Sequence, residues 1–179
     1  DSLTGRNTGN NLGKGSPVIH WEEADQTDTA DVSLILKGGG CENVGRQYSL
    51  PCTELNAGRD LDGVRRCALD AVFRAQGRGC APGVLAVTIG GDRATGYAES
   101  KRLLLRRIGE RNGNPVLAEL ERTVLAQANE LGIGPMGFGG RTTLLDVFVG
   151  DLNRVPASYF VSISYMCWSY RRRSVSIRL

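Results

Sequence analysis

The chain has 179 residues, of which 41% are hydrophobic, 23% charged and 6% aromatic, a balance typical of one globular domain with a sizeable core. This composition excludes a disordered or collagen-like chain, and no apolar run approaches the roughly 20 residues of a membrane-spanning helix. The formal net charge of +3 provides no strong attraction to nucleic acid or to a membrane surface. We therefore expect a cytoplasmic protein that binds neither. Glycine is in excess, with 24 residues, and its clusters between apolar segments predict functional loops.

The sequence predicts an α/β fold, a single domain over residues 1–179 with a mixed sheet of about four to six strands covered by helices. Residues 1–15 are polar and rich in glycine and asparagine, which is typical of a loop. In chain order, the predicted elements are strands at 17–22 and 30–36, a helix from residue 60, a strand at 84–89, helices at 94–107 and 114–132, and strands at 142–149 and 159–166.

Helical periodicity is clearest in two of these segments. From Asp60 onward, apolar residues recur on one face of a helix, and Cys67 lies on that face, which favours a core position. In the segment 114–132, Asn114 suits the N-cap, Pro115 the first helical position and Gly132 the C-terminal cap. Both segments are therefore predicted as helices that pack one side on the core.

Two familiar site patterns are rejected. The glycines of 132–137 match the spacing of a dinucleotide fingerprint, but that site needs a strand before the glycines and a helix after them, and here the predicted order is reversed. A phosphate loop fails as well, because Gly140 stands where its lysine belongs. The single histidine, His20, lies within a predicted strand and favours a structural role over that of a catalytic base.

Cysteine usage leaves two interpretations open. The count is odd and no CxxC pair occurs, which argues against a disulfide scaffold or a zinc ribbon. The thiols are then either buried and inert or cluster ligands gathered from distant parts of the chain. The five residues are Cys41, Cys52, Cys67, Cys80 and Cys167.

One basic run closes the sequence, at Arg171, Arg172 and Arg173, with Arg178 beyond it. Such a run is either an anion or phosphate contact or a solvated chain end. The even spread of charge elsewhere favours the solvated end.

Six segments, taken together and in order, resemble the class I fumarases, the iron–sulfur hydro-lyases that include tartrate dehydratase. The similarity covers nearly the whole chain, and the set is far more specific than any single glycine run. The segments are Asn7-Thr-Gly-Asn-Asn11, Lys37-Gly-Gly-Gly-Cys-Glu-Asn43, Cys80-Ala-Pro with Ile89-Gly-Gly91, Leu131-Gly-Ile-Gly-Pro135, Gly139-Gly-Arg-Thr-Thr143, and Pro156-Ala-Ser158 followed by Cys167.

This resemblance implies a [4Fe-4S] cluster held by three cysteines, with the fourth iron open to substrate. Cys80 matches the family's second ligand and Cys167 its third. The first ligand belongs to a Cys-Gln-Asp-Thr-Gly motif that precedes the Asn-Thr-Gly segment in the family and does not occur in this sequence. The family reaction is reversible hydration of a trans-enedioate, with fumarate giving malate as the type case.

For substrate, the resemblance implies that the backbone of Gly40 receives a carboxylate, and Arg141 either binds the anion or supports its loop. Two residues depart from the family pattern. Val155 stands in place of a substrate-contacting histidine, and Cys41 in place of a serine, where we read it as a small replacement rather than an extra ligand. A tartrate-like or other substituted dicarboxylate is therefore an alternative substrate.

Partners follow from the same resemblance. The family's C-terminal domain or beta subunit carries further substrate-binding and proton-transfer residues, and the family assembles as homo- or hetero-oligomers. We expect this chain alone to be inactive, with catalytic residues unassigned within it. One rival hypothesis is a cluster-free scaffold that binds a partner, and a weaker one is an anion- or nucleic-acid-binding module built on the basic run at 171–173.

Overall fold

The computed structural model describes residues 1–7, 9, 13–23 and 28–179. The chain forms two compact units, one of Asp1–Val32 with Ser176–Leu179 and the other of Ser33–Val175. Among the described residues of the first 23, none lies in a helix or strand. The predicted strand at 17–22 is therefore wrong, because its apolar side chains, including Ile19 and Trp21, stay exposed and find no sheet to pack on.

Within the described part of the chain, four α-helices and six strands follow one another. In order they are β1 (Thr29–Leu36), α1 (Gly39–Asn43), β2 (Arg46–Ser49), α2 (Leu61–Ala75), β3 (Gly83–Gly90), α3 (Arg93–Leu103), α4 (Pro115–Glu130), β4 (Leu144–Leu152), β5 (Phe160–Met166) and β6 (Arg171–Arg178). Of these, α1, β2 and β6 were absent from the predicted elements. The α/β prediction is confirmed. The extent of one domain over 1–179 stays a prediction.

The principal sheet has the order β2-β5-β3-β4. The two central strands, β5 and β3, run antiparallel to each other, whereas β3 and the edge strand β4 run parallel. Val87 of β3 lies opposite Ile163 of β5 on one side and Val149 of β4 on the other. The sheet is therefore mixed, as predicted. It also follows that β3 and β4 begin at the end of the sheet where β5 finishes. We call this the cysteine end, because Cys80 precedes β3 and Cys167 follows β5.

The core lies between this sheet and helices α2, α3 and α4. Every residue of β3 is buried, as a continuous apolar run with cover on both faces requires. On α2, Val64 and Cys67 are fully buried, and burial raises the pKa of the Cys67 thiol to about 12. The core position predicted for Cys67 is confirmed.

Side-chain caps set the helix starts. Asp60 accepts a hydrogen bond from Gly63 N–H at the start of α2, and Asn114 accepts one from Val116 N–H at the start of α4. Helix α3 ends at Leu103, four residues before its predicted end. Beyond that end, the carbonyl groups of Leu104 and Arg106 both accept from the Tyr170 hydroxyl, at 2.6 and 2.7 Å, and so do not extend the helix.

Strand β6 pairs with β1 in a separate two-stranded sheet. The side chains of Arg171 and Arg173 are exposed, yet the basic run begins a strand rather than a loose chain end. Arg172 lies over the ring of Tyr170, 4.5 Å from its centre, an arrangement that stabilises a guanidinium on an aromatic face. No described helix is both long and apolar enough to cross a bilayer.

Candidate functional site

The two predicted cluster ligands lie on loops that touch. Cys80 follows the tight turn Gln76–Gly79 and has a left-handed backbone, with φ of 58°. Its carbonyl oxygen accepts a hydrogen bond from the N–H of Trp168, the residue after Cys167, at 3.4 Å. Both cysteines are half-buried. Antiparallel pairing of β5 with β3 thus brings together two residues that are 87 positions apart in the sequence.

Tyr165 packs directly behind these loops, in a slot made by two glycines. A Cβ atom on Gly83 would lie 2.2 Å from the Tyr165 ring, and one on Gly79 would lie 2.6 Å from it. No side chain is possible at either position without displacing the ring. Burial, with smaller contributions from Cys167, Cys41 and Cys80, raises the pKa of Tyr165. Its phenol therefore stays protonated at neutral pH.

The glycine-rich loop at 132–140 supports the Cys80 loop from the other side. Met136 N–H donates to the carbonyl of Ala81 at 2.8 Å, and a Cβ atom on Gly77 would lie 2.1 Å from the Met136 carbonyl oxygen. Gly134 needs glycine on two counts, since its φ is +66° and a Cβ there would meet Gly139 O at 2.1 Å. The loop runs from a helix to a strand, so the order that argued against a dinucleotide site is confirmed.

The two predicted substrate contacts also lie toward the cysteine end. Arg141 is exposed in the loop that enters β4 and forms no ion pair with any residue in the described ranges. Gly40 lies in α1, not in the open turn that the triple glycine predicted, because the chain coils into a helix from Gly39 onward. A Cβ on Gly40 would meet only the Arg78 carbonyl oxygen, at 3.4 Å, so helix α1 rests on the turn before Cys80.

Cys41, next to Gly40, is buried and donates its thiol hydrogen to the Gly38 carbonyl at 3.0 Å. Over the described residues, no group of three or more cysteine, histidine or acidic side chains could hold a metal ion. Among the described cysteines, Cys80 and Cys167 are the two half-buried ones that lie on adjoining loops. Two half-buried thiols on adjoining loops suit an iron–sulfur cluster in chemistry and in shelter from solvent.

Comparison with known proteins identifies the family of this chain. The family model described as fumarate hydratase (Fumerase) matches residues 1–176. The chain belongs to the fumarate hydratase family. It is 55% identical, over 99% of its length, to a putative fumarate hydratase class I of Geobacillus stearothermophilus, and covers 35% of that protein.

Members of the family that are named for a different substrate are also similar to this chain. A putative L(+)-tartrate dehydratase subunit alpha of Methanocaldococcus jannaschii is 35% identical, with 99% of this chain and 61% of that protein covered. An L(+)-tartrate dehydratase subunit alpha of Escherichia coli is 32% identical, with 96% and 55% covered. The chain thus spans between about a third and three fifths of the length of these curated relatives.

In this fumarate hydratase family chain, Val155 lies far from the cysteine loops. It is exposed in a turn in which Ser158 N–H donates to the Val155 carbonyl at 3.1 Å. The seven residues of β5 separate that turn from Cys167, a strand length of about 23 Å. His20 is exposed and outside every helix and strand. Of the motif Asn7-Thr-Gly-Asn-Asn11, Thr8, Asn10 and Asn11 lie outside the described residues.

Sequence reasoning missed one charged cluster beside the site. Glu42 accepts hydrogen bonds from Lys37 at 2.6 Å and Lys101 at 2.7 Å, in a cleft of about 260 Å³ that Tyr97 also lines. Partial burial alone would raise the pKa of Glu42, but the two lysines outweigh it and lower that pKa. Lys37 and Glu42 belong to the triple-glycine segment, which was the available signal, whereas Lys101 reaches them only through the fold.

Proposed function

We propose that this chain is part of a hydro-lyase that reversibly adds water to a C4 trans-enedioate such as fumarate, giving malate. Cys80 and Cys167 would supply two of the three thiolates of a [4Fe-4S] cluster. The observation that carries the proposal is the hydrogen bond from Trp168 N–H to the Cys80 carbonyl, which joins the two cysteine loops. Membership of the fumarate hydratase family supports the reaction class.

When bound, a cluster with three thiolate ligands supplies an open iron that acts as a Lewis acid on the substrate hydroxyl and carboxylate. The chain's own residues bind and orient the dianion. Arg141 provides a guanidinium that no described residue pairs with, a strong donor to a carboxylate, and Gly40 provides backbone without a side chain in the way. The protonated phenol of Tyr165 fills the space behind the thiols and excludes water from that side.

The remaining parts of the reaction need residues outside these 179. We assign the third thiolate to residues outside this chain. We assign the proton-transfer groups to a C-terminal domain or beta subunit. The name of the Escherichia coli relative, an alpha subunit, supports a two-part enzyme. Inactivity of the chain alone, oligomeric assembly and a cytoplasmic location belong to the same proposal.

A second candidate is dehydration of tartrate or another substituted dicarboxylate. Two tartrate dehydratase alpha subunits are 35% and 32% identical to this chain, and Val155 leaves a hydrocarbon side chain where the resembling enzymes use a histidine. Comparing kcat/KM for fumarate, malate and L(+)-tartrate in the assembled enzyme decides between the two. A higher value for tartrate would make it the substrate.

Ligand assignment is tested by anaerobic reconstitution of the complete protein, followed by iron and sulfide analysis. Cys80→Ala and Cys167→Ala should each lose most of the bound iron, because one thiolate fewer leaves the cluster labile. Cys52→Ala is the matched control, a half-buried cysteine away from these loops, and should keep its iron. Iron retained equally in all three variants would show that the assignment is wrong, and a wild type that binds no iron would favour the cluster-free scaffold.

The role of Arg141 has its own test in the assembled enzyme. Arg141→Gln should raise KM for the dicarboxylate about tenfold, because one charge-assisted hydrogen bond is lost. Arg122→Gln removes the same charge from an exposed site on α4 that pairs with Glu119 and should leave KM unchanged. If Arg141→Gln has no effect on KM, the arginine only supports its loop.

A further inference from the structure

A second cleft, on the side of α1 away from Glu42, is lined by cations. Its volume is about 280 Å³, at the small end of ligand-binding pockets. We call it the arginine cleft. Its lining residues are Gly40, Asn43, Val44, Arg46, Arg74, Ala75 and Arg78.

The three guanidinium groups of this cleft are not equivalent. Arg74 is neutralised by Asp70, whose carboxylate accepts a hydrogen bond from Arg74 Nε at 2.8 Å. Arg78 donates to the Arg74 carbonyl and has no acidic partner in the described part of the chain. Arg46 forms neither a hydrogen bond nor an ion pair through its side chain with any residue of the described ranges. Among the described residues, the cleft therefore holds two cations without a paired counter-charge.

Of the residues that the structure describes, none that lines the cleft is acidic. Cations that face the same small space repel each other, and the fold tolerates this where an anion completes the arrangement. A group with two negative oxygens suits two guanidiniums and the Asn43 amide, since arginine binds carboxylates and phosphates through paired N–H donors.

The arginine cleft adjoins the cysteine loops. Gly40 lies against the carbonyl of Arg78, two residues before Cys80, and helix α1 also carries Cys41, which lies near Tyr165. An anion in the cleft would thus occupy the neighbourhood of the proposed cluster site.

We propose that Arg46 and Arg78 form a carboxylate-binding pair that selects dicarboxylates over monocarboxylates. This inference rests on the proposed function. The two side chains are specificity-determining residues: they hold one carboxylate of a C4 diacid in the arginine cleft and leave the other carboxylate to Arg141, so a monocarboxylate makes only one of the two contacts. Neither arginine takes part in bond making.

The test measures binding of succinate, an unreactive C4 diacid, to the assembled enzyme by isothermal titration calorimetry. Arg46→Gln and Arg78→Gln should each weaken succinate binding about tenfold or more, whereas the control Arg122→Gln should not change it. Arg46→Lys keeps the charge and should retain part of the affinity. Acetate should bind far more weakly than succinate, and added salt should weaken the wild type more than the variants.

Two results would overturn the inference. One is unchanged succinate affinity in both glutamine variants. The other is tighter binding of inorganic phosphate than of succinate, which would make the cleft a phosphate site. Failure of the proposed function looks different: iron binding would then be independent of Cys80 and Cys167, while succinate binding would still require Arg46 and Arg78.

Discussion

The two edges of the four-stranded sheet are built in opposite ways. Strand β4, at one edge, has nine residues, of which six are buried, whereas β2, at the other, has four and none is buried. On the outer side of both strands, the main-chain N–H and C=O groups have no neighbouring strand with which to form hydrogen bonds. The difference lies in what satisfies those groups and in what the edge is then free to do.

Buried and half-buried side chains seal the β4 edge. Asn129 accepts from Leu144 N–H at 2.9 Å and donates to the Leu144 carbonyl at 3.3 Å. Farther along, Glu121 accepts from Val149 N–H at 2.9 Å, and the Asn112 amide donates to the Val149 carbonyl at 2.7 Å. A buried strand edge cannot rely on water, so amide and carboxylate side chains take the place of a further strand.

The β2 edge is polar and open by contrast. Gln47 donates to the Arg93 carbonyl and to the Ser162 hydroxyl, both at 2.8 Å, while Arg46 faces the arginine cleft. Solvent can satisfy the remaining groups there. A sealed edge thus serves stability alone, and an open edge keeps cationic side chains free for a ligand.

The largest expected effect is at the sealed edge, in Glu121→Ala. The Glu121 side chain is fully buried and also pairs with Arg106 at 2.6 Å, so its loss leaves a partly buried cation and two main-chain donors unpaired. Unfolding free energy should fall by about 3–5 kcal/mol. Urea denaturation checks this value, with Glu119→Ala, an exposed residue on the same helix, expected to change it by less than about 1 kcal/mol.

The next effect is at the same edge, in Asn129→Ala. This change removes the acceptor for Thr143 N–H and Leu144 N–H and the donor to the Leu144 carbonyl. We expect a loss of about 2–3 kcal/mol by urea denaturation. Exposed Glu130, next in the helix, provides the control Glu130→Ala. Equal effects from the two substitutions would mean that water can replace Asn129 and that the edge is not sealed.

At the open edge, Gln47→Ala should cost only about 1 kcal/mol. The amide also accepts from Arg93 at 2.9 Å, but these bonds are partly exposed, so water replaces most of what is lost. Denaturant midpoints measured beside those of Asn129→Ala test the ranking. A larger loss in Gln47→Ala than in Asn129→Ala would reverse the comparison between the two edges.

The smallest effect is a pH dependence on the β2 side of the sheet. Backbone hydrogen bonds from Thr95 and Ala94 lower the pKa of Asp92, the exposed N-cap of α3, below its ordinary 3.8. A lowered pKa stabilises the fold above the unfolded-state value, and this stabilisation disappears as the pH falls through the folded-state value. Asn caps helices but does not titrate there. Melting temperatures of Asp92→Asn should therefore fall less than those of the wild type on acidification from about pH 6 to pH 3.

The elements that the sequence predicts well are those with a local signal. Strand β3 is a continuous apolar run, and α2 and α4 combine apolar faces with end signals such as Asn114 and Pro115. Strand β2 lacks such a signal, since Arg46–Ser49 is short and polar and becomes a strand only by pairing with β5. The same holds for α1, whose two glycines are poor helix formers.

The same distinction between local signals and long-range contacts applies to the candidate site. Cys80, Cys167, Gly40 and Arg141 stand in motifs and can be named from sequence, although their roles stay predictions. Tyr165 and the pair Arg46 and Arg78 belong to the site only through contacts between distant segments. No spacing in the sequence predicts such contacts, because strand order decides them.

By itself, the sequence determined the family, the α/β class and the loops in which the thiols lie, because motifs and periodicity are properties of neighbouring residues. The tertiary structure alone decided that the Cys80 and Cys167 loops meet and that a tyrosine packs behind them. It also decided that one sheet edge is sealed while the other opens on a pair of arginines. The physical reason is pairing: β5 runs antiparallel to β3 and to β2, and that arrangement sets which chain segments share each end of the sheet.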